Sequence, residues 1–184
     1  MAKVAIMMAD GCEMIEALVV VDLLRRADID IDLINIMDRD EVVASHKVKI
    51  GTEIRLSDMK GDDYDGIVLP GGKVGTDNLK ASAKVTELVQ QFDAAGKKVC
   101  AICAAPSALA AAGVLKGKKA TCYPGFEEAL MASGATIGDG PVVVDGNTIT
   151  SRGMGTGIPF GLEIIAQYLG RDKAEAIASQ IVYS

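Results

Sequence analysis

The chain has 184 residues, 49% of them hydrophobic, and its 25 acidic against 19 basic side chains leave a formal net charge of -6. That length fits one domain around a well-buried core, so residues 1–184 are read as a single unit. An acidic chain with no lysine-arginine stripe or aromatic platform argues against polymeric nucleic acid as a partner, and no uncharged apolar run approaches the roughly 20 residues that cross a bilayer.

The chain opens on KVAIMM, Lys3 to Met8, which runs straight into acidic and glycine residues. With no small-residue cleavage site it reads as a strand rather than a secretory signal, and the expected compartment is the cytoplasm. A helical pattern follows from Glu13 to Ala27, in which Glu16 shares a face with Val19, Val20 and Leu23. A carboxyl in an apolar stripe resists ionisation, so its pKa is expected to rise. The positive end of the helix accounts for Glu13, whereas Glu16 reads as about a turn too deep. From Ala17 to Leu24 the helix is apolar around more of its circumference than one sheet face requires, which predicts a second covering surface.

Further β-branched runs appear at DIDLINIM, DGIVLPGG, KKVCAIC, KKATCYP and NTITSRG. Helical patterns lie between several of them, at Thr76 to Ala95, Pro106 to Ala112 and Thr156 to Leu169. Continuously apolar strands alternating with helices predict an α/β fold, a doubly wound and mostly parallel sheet with helices on both faces. Val42 to Leu56 alternates like an antiparallel hairpin, and PVVVDGNTIT suggests a second one turning at Asp145-Gly146.

Four cysteines, Cys12, Cys100, Cys103 and Cys122, read as reduced thiols. Cys103 stands where a buried strand, Val99 to Ile102, meets a helix that begins at Pro106. A sharp turn there pushes the sulfur outward, and the helix end is expected to lower its pKa and make it a nucleophile. An inert core thiol is the alternative, and it suits Cys100 better, inside the strand. That placement also argues against a Cys100/Cys103 dithiol. Cys12 reads as lying in an exposed loop beside Asp10 and Glu13, and Cys122 near a strand end without an activator. LPGGKVGT offers N–H groups to an anion or oxyanion but is no nucleotide fingerprint, and SRGMGTG reads as a tight connection.

The stretches DGCEMIEALVVVDLLRRA, YDGIVLPGG, AICAAPSAL and ITSRGMGTG, in this order and spacing, resemble the ThiJ/PfpI superfamily, specifically its parkinsonism-associated deglycase branch. The resemblance spans essentially the whole chain. It implies a flavodoxin-like domain, usually a homodimer, with the elbow cysteine at Cys103 and a protonated glutamate at Glu16. It further implies an oxyanion hole formed by the N–H groups of Gly72 and Ala104, and places Arg26 and His46 near the dimer interface. A lone hairpin histidine is more often simply a half-exposed strand residue. Ala104 stands where the protease and larger chaperone branches have histidine, which argues against proteolysis. The single histidine, His46, lies upstream of Cys103, which argues against a glutamine amidotransferase. Tyr123 occupies a position often held by histidine in the deglycase branch; a phenol hydrogen-bonds a substrate but does not shuttle protons near neutrality.

Two functions follow from the resemblance and the residues. One is conversion of small aldehydes, methylglyoxal or glyoxal, or their glycation adducts, to hydroxy acids through Cys103 and Glu16, with neither metal nor organic cofactor. The other is redox sensing or redox-regulated chaperoning through oxidation of Cys103 without turnover.

Overall fold

A computed structural model describes residues 1–184. In chain order, β1 (Lys3–Met8) leads to α1 (Met14–Arg26) and β2 (Asp30–Asn35), followed by three short strands, β3 (Glu41–Val43), β4 (Lys49–Gly51) and β5 (Ile54–Arg55). Then come β6 (Gly66–Leu69), α2 (Lys73–Ala81), α3 (Ala83–Ala94), β7 (Lys98–Ile102) and α4 (Pro106–Ala111). The last third holds β8 (Lys119–Ala120), α5 (Glu127–Ala132), β9 (Thr136–Ile137), β10 (Val142–Asp145), β11 (Thr148–Ser151), α6 (Gly157–Leu169) and α7 (Arg171–Gln180).

Seven strands form the central sheet in the order β10-β11-β7-β6-β1-β2-β5, parallel throughout except for β10 against β11. Its middle five strands have the flavodoxin-like order, and the direction of winding reverses between β1 and β6. The expected α/β fold, mostly parallel and doubly wound, is the observed one.

Why the strands are continuously apolar follows from the two cores. Successive residues alternate between faces: Ala5 and Met7 enter one core, Val4, Ile6 and Met8 the other. Val99 and Ala101 of β7 join the first, Cys100 and Ile102 the second. Leu79, Phe92, Leu109 and Leu130 cover one face, and Val20, Leu24, Phe160 and Ile177 cover the opposite one. No helix is long and apolar enough to cross a membrane.

Several expectations need correction. The helix expected from Thr76 to Ala95 is two helices, because Ser82 adopts an extended conformation and its Oγ accepts the Val85 N–H at 3.3 Å, capping α3. KKATCYP contributes only two strand residues, which pair with β9 outside the main sheet. The chain there is drawn away as the Thr121 N–H donates to Thr150 Oγ1 at 2.9 Å and the Tyr123 N–H to the Cys103 carbonyl at 2.8 Å.

The Val42 to Leu56 hairpin exists only as β3 against β4; β5 leaves it to join β2 in parallel. His46 occupies the turn rather than a strand, exposed and at φ +60. The second hairpin forms, with Val144 opposite Ile149 and Asp145 opposite Thr148, so its turn is Gly146-Asn147, one residue later than expected. Periodicity did not reveal α5, β9 or α7; α7 buries only Ala174 and Ile177, too little to stand out in a polar stretch.

Candidate active site

The carboxyl ends of β1, β6 and β7 are neighbours, so the loops leaving them meet above the point where the winding reverses. The first carries Cys12 and the start of α1, the second Gly71 and Gly72, the third Cys103.

Cys103 has φ +64, in the left-handed region that costs a side-chain-bearing residue about 1–2 kcal/mol. Two neighbours hold it there: its N–H donates to the Ser151 carbonyl at 2.9 Å, and its carbonyl accepts the Tyr123 N–H at 2.8 Å. The result is the expected elbow between β7 and α4. The thiol is half-buried, facing the N–H groups of Gly72 and Ala104 and the carboxyl of Glu16.

Glu16 projects from the first turn of α1, shallower than the sequence suggested, yet it is only 1% exposed. Its Oε2 accepts the Gly71 N–H at 3.0 Å, and its side chain is also hydrogen-bonded to Cys103. Gly71 must lack a side chain: a Cβ would run into Glu16 Oε2 and stand 2.5 Å from Cys103 Cβ. The Glu13 N–H donates in turn to the Gly71 carbonyl at 2.9 Å, fastening the start of α1 to this loop. Glu13 caps the helix as expected, its carboxylate accepting the Ile15 N–H at 3.4 Å and the Ser45 hydroxyl at 2.8 Å.

Burial pushes Glu16 up to about 7, against the opposing pull of its hydrogen bonds to Cys103 and Gly71. The rise matches expectation. The thiol differs: burial first, then the Glu16 charge, push Cys103 up to about 12, while Gly72 and Ala104 pull it down. A helix of six residues provides too weak a field to reverse the desolvation. The Glu16 repulsion exists only while that carboxyl is ionised. The two groups therefore titrate as a coupled pair, each setting the charge that the other faces.

The other cysteines are buried. Cys100 and Cys122 are 1% and 2% exposed, and Cys12, expected in an exposed loop, is 1% exposed. Gly11, at φ +76, folds Cys12 beneath α2, so closely that a Cβ on Gly75 would stand 2.7 Å from Cys12 Cα. Burial raises all three thiols.

SRGMGTG is more than a tight connection. With Tyr123 and Pro124, residues Arg152 to Thr156 line a depression of about 340 Å³. A Cβ on Gly153 would stand 3.3 Å from the Tyr123 ring and 3.9 Å from Glu16 Oε1, which places this depression beside the buried carboxyl. Gly71, Arg152 and Met154 lie within LPGGKVGT and SRGMGTG, but nothing local in the sequence marks them as site residues. Neither Arg26, ion-paired with Asp22 at 2.6 Å, nor His46 hydrogen-bonds or ion-pairs with Glu16 or Cys103 within the chain. Another groove, of about 320 Å³ and walled by Pro141, Leu162 and Tyr183, is lined by no cysteine, serine or threonine.

Residues 2–167 match the DJ-1/PfpI family. The protein "DJ-1 homolog B" of Arabidopsis thaliana is 39% identical over 98% of the chain, which spans only 41% of that relative's length. "Protein dj-1beta" of Drosophila melanogaster is 36% identical over 96% of this chain and 95% of its own length. The solved structure titled "Toxoplasma gondii DJ-1, oxidized" superposes with a TM-score of 0.95 at 33% identity, all of both chains being covered. With a match over most of its length and a relative of similar size at 36% identity, the chain belongs to the DJ-1/PfpI family.

Proposed function

We propose that the protein converts small 2-oxoaldehydes such as methylglyoxal and glyoxal, or their early glycation adducts, to 2-hydroxy acids without a cofactor. The observation that carries this reading is the hydrogen-bonded pair of a thiol on a strained elbow and a buried carboxyl titrating near neutrality. As Cys103 attacks the aldehyde carbon, its proton passes to the Glu16 carboxylate, and the N–H groups of Gly72 and Ala104 hold the developing oxyanion. The product is a hemithioacetal. After returning the thiol proton to the oxyanion, Glu16 moves the proton of that carbon to the adjacent one while the hydroxyl proton passes to the neighbouring oxygen, giving a thioester of the hydroxy acid. Water cleaves the thioester to lactate or glycolate and restores the thiol. Tyr123 hydrogen-bonds the substrate at the rim.

A second reading has its own support. Cys103 is the one cysteine that is not buried, and the Toxoplasma gondii structure carries the word oxidised in its title. Peroxide would convert the Cys103 thiolate to sulfenate with release of water, and a second peroxide would give a second water and the sulfinate, which the protonated Glu16 would hold. A redox sensor or regulated chaperone works this way without turnover. Steady-state formation of lactate from methylglyoxal by the purified protein separates the two: sustained turnover supports the enzyme, and consumption that stops at one equivalent per chain rejects it.

In both readings the active form is a homodimer in the cytoplasm. Ile15 and Leu18 leave an apolar strip on α1 46% and 41% exposed, as a helix awaiting cover does.

A further inference from the structure

The depression beside Glu16 holds a single charge, and it is positive. Of its seven lining residues only Arg152 is ionised. The chain has five other arginines, and each is ion-paired: Arg25 with Glu53, Arg26 with Asp22, Arg39 with Asp10, Arg55 with Asp40 and Arg171 with Glu163. The exposed Arg152 side chain has neither an ion pair nor a hydrogen bond, in a chain whose net charge is -6. Two acids do face it from the other side, since Glu127, Asp139 and Arg152 all line a smaller depression of about 190 Å³. Neither lies within ion-pair distance, and Glu127 is engaged in its own turn, accepting the Gly125 N–H at 2.6 Å. An unpaired guanidinium, one residue before the glycine that borders Glu16, presents a planar fork matched to two oxygens of an anion.

We propose that Arg152 is a specificity residue that selects 2-oxoaldehydes bearing a carboxylate, holding the anionic end at the rim while the aldehyde carbon meets Cys103. This rests on the reading of Cys103 as the nucleophile. A neutral substrate such as methylglyoxal gains nothing from Arg152, so the signature is a ratio between charged and uncharged reagents rather than a loss of overall activity. The attraction is screened by salt because the guanidinium is exposed.

Two arms test it. In the first, Cys103 is alkylated by iodoacetate or by iodoacetamide, each forming a carbon–sulfur bond with release of iodide, and the ratio of the two rates is measured. Arg152→Gln is expected to lower the iodoacetate-to-iodoacetamide ratio about fivefold, and Arg152→Lys to retain most of it. In the unsubstituted protein the ratio falls as salt rises from about 20 mM to about 500 mM. A ratio indifferent to Arg152→Gln and to salt overturns the proposal. In the second arm, kcat/KM is compared for 4,5-dioxopentanoate, a 2-oxoaldehyde ending in a carboxylate, and methylglyoxal. Arg152→Gln is expected to shift the preference toward methylglyoxal by a similar factor, and an unshifted preference contradicts the assignment. If neither aldehyde turns over while the alkylation ratio still follows Arg152, the dicarbonyl reading fails and anion recognition stands.

Discussion

Gly71, 55 residues beyond Glu16, donates its backbone N–H to Glu16 Oε2 at 3.0 Å in a space where no side chain fits. A Cβ there would displace the carboxyl from one side and the Cys103 side chain from the other. Gly71→Ala should therefore cost at least tenfold in methylglyoxal turnover and about 1–3 kcal/mol of stability, since overpacking against buried groups has no cheap relaxation. Denaturant unfolding alongside steady-state kinetics checks both, and a variant with full activity would show that the pair tolerates displacement.

Burial of Glu16 also sets a pH dependence of stability. Its folded-state value, about 7, exceeds its ordinary 4.5, so the folded state binds more protons between those values. The stability contributed by that proton is fully present below about pH 4.5 and is lost as pH rises through about 7. The loss is at most about 3 kcal/mol. Glu16→Gln, which cannot ionise, should flatten this part of the profile between about pH 5 and about pH 8. Parallel profiles for the two proteins would mean that Glu16 titrates normally.

The elbow makes a separate statement about strain. At φ +64, Cys103 stands where glycine is at ease, so Cys103→Gly should be at least as stable as Cys103→Ala, despite the usual glycine penalty of about 0.5–1 kcal/mol. Urea midpoints of the two variants decide it. A glycine variant weaker by that usual penalty would show that the backbone is unstrained.

Oxidation should find Cys103 first. Cys12, Cys100 and Cys122 are each no more than 2% exposed, whereas Cys103 is half-buried. After mild peroxide, peptide mass spectrometry should show two added oxygens on the Cys103 peptide before any other cysteine gains one. First oxidation at Cys12 or Cys122 would refute the assignment.

The parts of this site that the sequence revealed are those with a local signature. A buried run ending at Ile102, a cysteine and then Pro106 define the elbow, and a carboxyl in an apolar stripe marks Glu16. The parallel sheet was likewise legible, because strands facing two cores have no polar face. What stayed hidden depends on distant segments. That Gly71 borders both side chains needs the adjacency of β6 and β7, and the burial of Cys12 needs α2 folded over Gly11. The thiol pKa runs opposite to the sequence expectation for the same reason: the helix end is local, whereas the desolvation that outweighs it comes from packing. Ser82 misled because one extended residue divides two helices whose apolar pattern continues across it.

The central claim is that Cys103 forms the bond and Glu16 moves the proton. Glu16→Gln keeps a hydrogen-bond donor to sulfur but cannot carry a proton; the thiol still equilibrates with the aldehyde, more slowly and with water as the base, whereas the carbon-to-carbon transfer has no other base, so the two steps come apart in this variant. Mixed with methylglyoxal and followed by intact-protein mass spectrometry and lactate assay together, Glu16→Gln is predicted to accumulate the hemithioacetal on Cys103 while releasing lactate at least a hundredfold more slowly, about the scale of a lost general acid–base. Lactate released at the unsubstituted protein's rate would contradict the account.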